Sequence, residues 1–257
     1  MKKVFASDFD GTLYFYKADV KLPTESVEKI KEYQAAGNLF GLCTGRQVGG
    51  LTPFIAGYIE PDFYITSSGA NIVDKDLKEI RKRGIDRTIA GAIVRELNPQ
   101  SYKITLDIEG DICVFSKMDF PGKYYVITSV DEAPDGLVHQ VSVHTESLEE
   151  AAAIARHINQ DYGEYVQAFQ NVVDVDIAPS GCSKGMGVKI LRDFLHGNAV
   201  EKCRLYGIGD SVNDLPLIEA SDISYTFPYA PKELQDKVTK VVGNICEALE
   251  DSMAEEI

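Results

Sequence analysis

The sequence predicts an α/β fold in which a parallel sheet is flanked by helices and a second α/β module with an antiparallel sheet is inserted. Short apolar runs alternate with helix-length segments over about the first 80 residues and again over about the last 75. Strands separated by helices pair in parallel through right-handed crossovers. The middle of the chain instead carries closely spaced alternating runs with turn signals between them, which is typical of antiparallel strands.

The first part of the chain alternates between strand and helix. Apolar runs and amphipathic spacing predict strands over residues 3–9, 39–43 and 63–66, and helices over residues 25–36 and 48–58. Thr24 stands where its hydroxyl could cap the first helix, and Gly37 stands just past the end of that helix. The polar residues after these strands would lie at one edge of the sheet, where ligands bind in such folds.

The last part of the chain repeats this alternation. Helices are predicted over residues 184–195 and 213–220, and strands over residues 204–208 and 237–242. Gly197 is the expected stop of the first of these helices. A final helix is expected after an N-cap pair formed by Asn244 and Glu247.

The middle of the chain is predicted to be a separate module. It contains two helical patterns and six strand-like runs: helices over residues 86–97 and 148–160, and strands over residues 102–108, 112–115, 124–127, 137–144, 165–169 and 172–177. The predicted domain boundaries are therefore residues 1–82 with 183–257 for the core and residues 83–182 for the inserted module.

Composition and charge restrict the classes of function. With 44% hydrophobic residues the chain of 257 residues can bury a core, which excludes a disordered protein. The net charge of −14 argues against broad binding to nucleic acid, and no apolar stretch is long enough to cross a membrane. Asp8 interrupts the N-terminal apolar residues too early for a signal peptide. The oligomeric state cannot be inferred from the sequence.

The five cysteines are odd in number and scattered, and no two of them have C-x-x-C spacing. This pattern fits neither a disulfide framework nor a zinc site. We therefore expect reduced thiols in a cytoplasmic protein. Cys43 stands beside a candidate site, and we expect it to be a small buried residue.

The segment Asp8-Phe9-Asp10-Gly11-Thr12 directly follows the first predicted strand. Residues two apart on a strand share a face, so Asp8 and Asp10 would point the same way. Two carboxylates held close repel each other unless a cation or a shared proton relieves them, and ligands that are all oxygen suit Mg²⁺. The alternative is an Asx-type turn with both carboxylates in solvent.

A second acidic segment follows the strand predicted over residues 204–208. It places Asp210, Asn213 and Asp214 at the start of a helix. Asp210 could complete an oxygen shell with Asp8. The alternative is that Asp210 or the serine after it caps the helix. Two acidic strand ends in one domain favour a shared site.

Two further segments offer groups that bind anions. Thr44-Gly45-Arg46 ends the second predicted strand with a hydroxyl, free backbone N–H groups and a guanidinium suited to phosphate or carboxylate. Lys184 opens a helix, where a cation interacts unfavourably with the helix dipole, and contact with an anion would offset this mild penalty. The alternatives are an ordinary capped turn and a solvated lysine.

In this order the four segments resemble the motifs of the haloacid dehalogenase (HAD) superfamily. The similar segments are Asp8-x-Asp10-Gly11-Thr12, Thr44, Lys184 and Gly209-Asp210-x-x-Asn213-Asp214. The long stretch between Asn71 and Lys184 leaves room for a cap domain, as in the Cof-type phosphatases with their type IIB α/β cap. The resemblance implies a Rossmann-like HAD core with an inserted cap.

The resemblance also implies a phosphatase that depends on Mg²⁺ and forms an aspartyl-phosphate. Asp8 would be the nucleophile. Asp10, held by a hydrogen bond from Thr12, would protonate the leaving oxygen and then deprotonate water. Mg²⁺ would bind an Asp8 oxygen, the main-chain carbonyl of Asp10 and the Asp210 carboxylate.

The phosphate would be bound by Lys184, Thr44 and the Gly45 N–H group, with Arg46 near the phosphate or the leaving group. Asn213 would also contribute to substrate binding, and Asn213 and Asp214 together would serve the outer shell of the metal and orient Lys184.

The resemblance favours a sugar phosphate as substrate, while phosphorylated cofactors stay open. The alternatives are a phosphomutase, a non-catalytic module that binds a phosphorylated metabolite, and a protein-interaction role. Two segments depart from the family pattern: Ser68 stands where Asn is usual, and residues 226–231 differ from a common Gly-Asn-Ala-Pro. Four aromatic residues of the cap could line a pocket or belong to core and surface, namely Tyr124, Tyr125, His139 and His144.

Overall fold

A computed structural model describes residues 1–120, 122–197 and 202–256. Its strands are β1 (Lys2–Ser7), β2 (Leu39–Cys43), β3 (Phe63–Thr66), β4 (Asn71–Asp74), β5 (Glu79–Lys82), β6 (Lys103–Ile108), β7 (Asp111–Val114), β8 (Tyr124–Val126), β9 (Val138–His144), β10 (Val166–Asn171), β11 (Asp174–Pro179), β12 (Cys203–Ile208), β13 (Ile223–Thr226) and β14 (Lys240–Val241). Its helices are α1 (Thr24–Ala35), α2 (Val48–Ile55), α3 (Arg87–Leu97), α4 (Leu148–Asp161), α5 (Lys184–Gly197), α6 (Leu215–Ala220), α7 (Lys232–Gln235) and α8 (Ile245–Ala254). No helix among these residues is both long enough and apolar enough to span a bilayer.

The core sheet has the strand order β14-β13-β12-β1-β2-β3-β4-β5. The strands from β14 to β3 pair in parallel, which confirms the predicted parallel sheet. The strands β4 and β5 extend one edge in antiparallel fashion and were not predicted. Because β12, β1 and β2 are neighbours, the residues that follow them lie side by side at the same edge.

The second sheet has the order β10-β11-β9-β6-β7-β8 and confirms the predicted second module. Its pairs are antiparallel except for β7 and β8, which run in parallel. Side chains alternate between the two faces of a strand, and the apolar ones pack with helices α3 and α4 in one core. The domain boundaries at residues 82/83 and 182/183 stay a prediction.

Aromatic residues fill the core beside β1. The ring of Phe5 lies 5.9–6.2 Å from four other rings, those of Tyr33, Phe40, Tyr206 and Tyr225. These contacts bring strands β1, β2, β12 and β13 together with α1. The buried Lys3 donates through Nζ to the carbonyl groups of Ser252, Met253 and Glu255, and so holds the C-terminal end of α8.

Some local predictions were wrong. Thr24 is the first residue of α1 rather than its cap: Pro23 precedes the helix and makes no side-chain hydrogen bond to it. Helix α2 ends at Ile55 instead of residue 58, because the chain turns into the left-handed region at Gly57. Helix α5 includes Gly197 and does not stop before it.

Other local predictions were confirmed. Asn244 caps α8, since its Oδ1 accepts from the Glu247 N–H at 3.1 Å. All five cysteines are free, and Cys43 is fully buried as expected. Burial raises the pKa of the Cys43 thiol.

Gly69, in the turn after β3, packs closely against the backbone of Ser183. Gly69 has φ +89°, and a Cβ there would lie 2.3 Å from the Ser183 carbonyl oxygen. Gly37 has a similar φ of +85° with nothing within 4 Å. We expect Gly69→Ala to lower the free energy of unfolding by about 2 kcal/mol or more and Gly37→Ala by about 1 kcal/mol. Urea unfolding measures both, and equal losses would contradict the close packing of Gly69.

Candidate active site

A cavity of about 1110 Å³ opens at the edge where β1, β2 and β12 end. Asp8 follows β1, Thr44 follows β2, and Asp210 lies two residues after β12. Lys184, the first residue of α5, also lines this cavity. The predicted site residues Asp8, Asp10, Thr44, Gly45, Arg46, Lys184, Asp210 and Asn213 all contribute to its wall. The structure therefore brings together segments that are far apart in the sequence.

Three carboxylates converge at this edge of the sheet: Asp8 and Asp210 line the cavity, and Asp214 is buried behind them. One oxygen from each of Asp8, Asp210 and Asp214 lies within 4.8 Å of the other two. Lys184 Nζ donates to Asp8 Oδ1 at 2.6 Å and to Asp214 Oδ1 at 2.5 Å. A single buried ammonium thus faces three carboxylates, so the cluster keeps an excess of negative charge.

The pKa values of these groups reflect the crowding. Burial, followed by the neighbouring Asp214 carboxylate, raises the pKa of Asp8 well above its ordinary value, against the opposing effect of Lys184. Burial and Asp214 also raise the pKa of Asp210 to about 6. Burial acts to lower the pKa of Lys184, but Asp214 and Asp8 outweigh it and hold that pKa well above its usual range. A divalent cation would relieve the repulsion among the carboxylates, and their oxygen atoms are the donors that Mg²⁺ prefers.

The loop after β12 is shaped by Asp214. Its Oδ2 accepts from the backbone N–H groups of Asp210 and Ser211 at 3.0 and 3.1 Å. Its Cβ and carboxylate pack against Gly209, where a Cβ would come within 2.4 Å of them. Asp214, and not Asn213, holds Lys184: the side-chain Oδ1 of Asn213 accepts from the Ser211 hydroxyl instead.

The loop after β1 approaches the same carboxylates. Gly11 has φ +83°, and a Cβ there would lie 2.4 Å from Asp210 Oδ2, so only glycine fits. Thr12 donates to Asp210 Oδ1 at 3.3 Å. The expected hydrogen bond from Thr12 to Asp10 is therefore wrong, because the turn at Gly11 directs the hydroxyl toward the second acidic loop.

Asp10 is bound by Arg46. Both Asp10 oxygens accept from the guanidinium, each at 2.7 Å, and the Gly50 carbonyl accepts a further bond from it at 2.9 Å. Four aromatic rings surround the guanidinium at 4.6–6.0 Å, those of Phe9, Tyr14, Tyr16 and Phe54. Cation–π contacts and a bidentate ion pair hold Arg46 in place. The predicted role of Arg46 near the phosphate or leaving group stays a prediction.

Thr44 and Gly45 form the loop opposite the acidic cluster. Thr44 is buried, and its Oγ1 accepts from the Arg46 N–H at 3.1 Å. Gly45 lies beside Asp176 of the second sheet, whose Oδ2 would be 2.5 Å from a Cβ on Gly45. Gln140 donates to the Gly45 carbonyl at 2.7 Å. The second sheet thus covers this loop directly.

The two segments that depart from the family pattern both lie near the site. Ser68 has φ +54° and is buried, and its N–H donates to the Thr44 carbonyl at 3.2 Å. Tyr229 donates through its hydroxyl to the Gly11 carbonyl at 2.7 Å. Its ring stacks on Phe227 with 4.9 Å between centroids. Both segments therefore support motif loops of the core.

The wall formed by the second sheet was largely missed by the sequence analysis. Of its four suggested aromatic residues, only His144 lines the cavity. His139 is buried and bonds to the Arg83 carbonyl through Nδ1, and the hydroxyls of Tyr124 and Tyr125 bond to Met118 and Lys123. The other residues of the second sheet and its β10–β11 turn that line the cavity are Thr105, Ser142, Asn171, Val172, Val173, Asp174 and Asp176. Polar residues at every second position of otherwise apolar strands were the signal that could have identified them.

Comparison with known proteins assigns the chain to a family. A family model described as haloacid dehalogenase-like hydrolase matches residues 5–254. A curated relative, the HMP-PP phosphatase of Citrobacter koseri, is 22% identical over 232 residues and covers 86% of this chain and 82% of its own.

Two solved structures share the fold along nearly the whole chain. A structure described as an HAD/COF-like hydrolase from Plasmodium vivax has a TM-score of 0.81 at 17% identity, covering 98% of this chain and 95% of its own. A sugar phosphatase of HAD subclass IIB has a TM-score of 0.79 at 18% identity, covering 97% and 98%. The family model confirms the resemblance to the haloacid dehalogenase superfamily, and the two structures show that the chain shares the fold of an HAD/COF-like hydrolase and of a subclass IIB sugar phosphatase.

Proposed function

The chain belongs to the haloacid dehalogenase-like hydrolase family, and on that premise we propose that it is a Mg²⁺-dependent phosphomonoesterase. Its substrate would be a small phosphorylated metabolite, with a sugar phosphate favoured. The observation that carries the proposal is the convergence of Asp8, Asp210 and Lys184 at the bottom of one cavity. A structural role would not require a buried lysine between carboxylates at the end of a sheet.

Asp8 is the proposed nucleophile. Its carboxylate oxygen would attack phosphorus, and the bond from phosphorus to the leaving oxygen would break, which leaves an aspartyl-phosphate. Water would then attack that phosphorus, release inorganic phosphate and restore the carboxylate. Lys184 supports this role because its ammonium, 2.6 Å from Asp8 Oδ1, favours the ionised carboxylate over the protonated one.

Asp10 is the proposed acid and base. It would give a proton to the leaving oxygen and later take one from the attacking water. In the present arrangement both of its oxygens accept from Arg46. Asp10 can therefore transfer a proton only after at least one of these two bonds opens.

The phosphate would be held by Lys184, the Thr44 hydroxyl and the Gly45 N–H group. These donors would stabilise negative charge that builds up on the phosphoryl oxygens. Mg²⁺ would be held by the Asp8 and Asp210 carboxylates with the Asp10 carbonyl. When bound, it supplies a positive charge that neutralises phosphate oxygens. Asp214 and Asn213 would support this set from the outside.

Metal dependence tests this proposal. We expect the protein to hydrolyse an aryl phosphate with Mg²⁺ and to lose this activity in EDTA. Mg²⁺ should raise the Tm because it binds the folded state only. In Asp210→Asn both responses should weaken, with kcat/KM lower by about 100-fold or more. Exposed Asp236, which pairs with Lys232, provides the control Asp236→Asn.

Release of inorganic phosphate is measured in the same assay. Equal amounts of phenol and phosphate support a hydrolase. With a sugar phosphate as substrate, transfer of the phosphate between two positions of the sugar without net release would instead indicate a phosphomutase. Full activity of the EDTA-treated protein would contradict the metal site.

Further parts of the proposal concern the surroundings of the enzyme. We expect no nucleic acid or membrane partner, because the chain carries a net charge of −14. The five unpaired cysteines are consistent with a cytoplasmic location, which stays a prediction. The inserted domain over residues 83–182 would act as the cap that excludes water and selects the leaving group.

A further inference from the structure

The second sheet has one apolar and one polar face. On β9 the residues Gln140, Ser142 and His144 share the polar face, while Val141 and Val143 are buried on the other one. The apolar face packs with α3 and α4. The polar face lies toward the cavity and the Gly45 loop, so it would meet the part of a substrate that lies beyond the phosphate.

The strand register sorts this polar face into rows. Thr105 on β6 pairs with Ser142 on β9, which in turn pairs with Asp176 on β11. All three residues line the cavity. This row contains two hydroxyl groups and one carboxylate. The next row outward contains His144 and Asp174, which bond to each other at 2.8 Å.

The charges on the wall are mostly paired. Of the four basic side chains that line the cavity, Arg46 binds Asp10, Lys184 binds Asp8, and His144 binds Asp174. Lys17, which is exposed, is the only one of the four without a carboxylate partner among the described residues. Asp210 is assigned to the metal. This leaves Asp176 as the lining carboxylate without a cationic partner or a catalytic role.

Asp176 is 6% exposed and has neutral hydrogen-bond partners. Its Oδ1 accepts from the Ser142 hydroxyl at 2.8 Å and from the Gln140 amide at 3.0 Å. Its Oδ2 packs against Gly45, next to the proposed phosphate site. Burial raises the pKa of Asp176 to about 6, which leaves it mostly ionised at pH 8. A buried negative charge therefore stands close to where the leaving group would begin.

We propose that Asp176 is a specificity-determining residue that selects, by charge, a leaving group with hydroxyl donors and without a second anionic group. The proposal rests on the proposed phosphatase function. A hydroxyl group can donate to the carboxylate, whereas a second phosphate or a carboxylate near the first phosphate is repelled by it. Thr105 and Ser142 add hydroxyl groups that suit the same polyol.

A matched pair of probes tests the proposal. Glycerol 3-phosphate and 3-phosphoglycerate share a three-carbon skeleton, and the second has a carboxylate where the first has a terminal hydroxymethyl group. Each is measured as a competitive inhibitor of aryl phosphate hydrolysis at pH 8 with excess Mg²⁺, so that neither has to be a substrate. We expect the wild type to bind glycerol 3-phosphate at least about tenfold more tightly, and Asp176→Asn to remove most of this preference.

Two variants serve as comparisons. Ser142→Ala keeps the charge at position 176 and should keep the preference, although it removes a hydrogen bond to the same carboxylate. Asp111→Asn removes an exposed charge of the same sheet outside the cavity and should change neither the preference nor the activity. If Asp176→Asn does not fold, Asp176→Ser provides a second neutral side chain.

Equal inhibition by the two probes, or stronger inhibition by 3-phosphoglycerate, would overturn the proposal. The same preference in wild type and both neutral variants would overturn it as well. In these cases hydrolysis of the aryl phosphate still supports the proposed function. Absence of any aryl phosphate hydrolysis would instead reject the phosphatase on which the proposal rests.

Discussion

Asp8→Asn should abolish phosphatase activity, with kcat/KM lower by about 10³-fold or more. The amide cannot form the phosphoenzyme, and no other described carboxylate has an oxygen bonded to Lys184 except Asp214, whose second oxygen is already bound to the loop backbone. Steady-state hydrolysis of an aryl phosphate measures the loss. We expect the variant to fold, because asparagine has nearly the same shape as aspartate.

Asp10→Asn provides a contrast in mechanism. It keeps the nucleophile but removes the acid and base, so the phosphoenzyme should form from a good leaving group and hydrolyse slowly. After an acid quench, mass spectrometry should find a phosphorylated peptide that contains Asp8 in this variant and none in Asp8→Asn. Undiminished turnover by Asp8→Asn would remove Asp8 as the nucleophile.

Lys184→Met should cost both stability and activity. It leaves the buried Asp8 and Asp214 carboxylates without the cation that pairs with both, and breaking a buried ion pair in this way costs about 3–5 kcal/mol. The loss of a phosphate ligand should lower kcat/KM by about 10³-fold. Urea unfolding in EDTA and aryl phosphate hydrolysis with Mg²⁺ measure the two effects.

The stability of Lys184→Met should depend on pH in one direction. The pKa of Asp8 is already raised by burial, and removal of the cation raises it further. A carboxyl group whose pKa is higher in the folded state stabilises folding below its unfolded pKa of about 4, and this contribution is lost as pH rises through the folded value. The variant should therefore recover stability between pH 8 and pH 5.

Exposed Lys232, paired with Asp236 on the surface, provides the control for this charge removal. Lys232→Met should change stability little at any of these pH values, because exposed ion pairs contribute little. A Lys184→Met protein as stable as the wild type at pH 8 would contradict the role of Lys184 as counter-charge.

The sequence was informative about elements whose pattern is local. The strand over residues 63–66 matches β3 in both bounds, and the helical pattern over residues 148–160 matches α4 within one residue. The β4–β5 hairpin was not predicted, because its two strands, with the sequences NIVD and EIRK, are bounded by polar residues and contain no apolar run like that of β3. Thr24 was a reasonable cap by type, yet the helix begins one residue earlier.

For the site, the sequence indicated which loops meet but not which side chains bond. Acidic residues after β1 and β12 predicted that Asp8 and Asp210 approach each other, because parallel strands end at one edge. The partner of Thr12 and the pairing of Arg46 with Asp10 were not predictable in this way. Those contacts depend on the turn at Gly11 and on the aromatic rings around the guanidinium.

The sequence by itself determined the alternation of strands and helices, the inserted module and the acidic strand ends. Each of these features depends on the spacing of apolar and polar residues along short stretches of the chain. Only the tertiary structure decided that Asp176, 132 positions after Thr44 in the chain, lies against Gly45 in the loop after β2. Periodicity specifies the face on which a side chain lies. Its contacts across the cavity depend on how two sheets pack, which no local pattern contains.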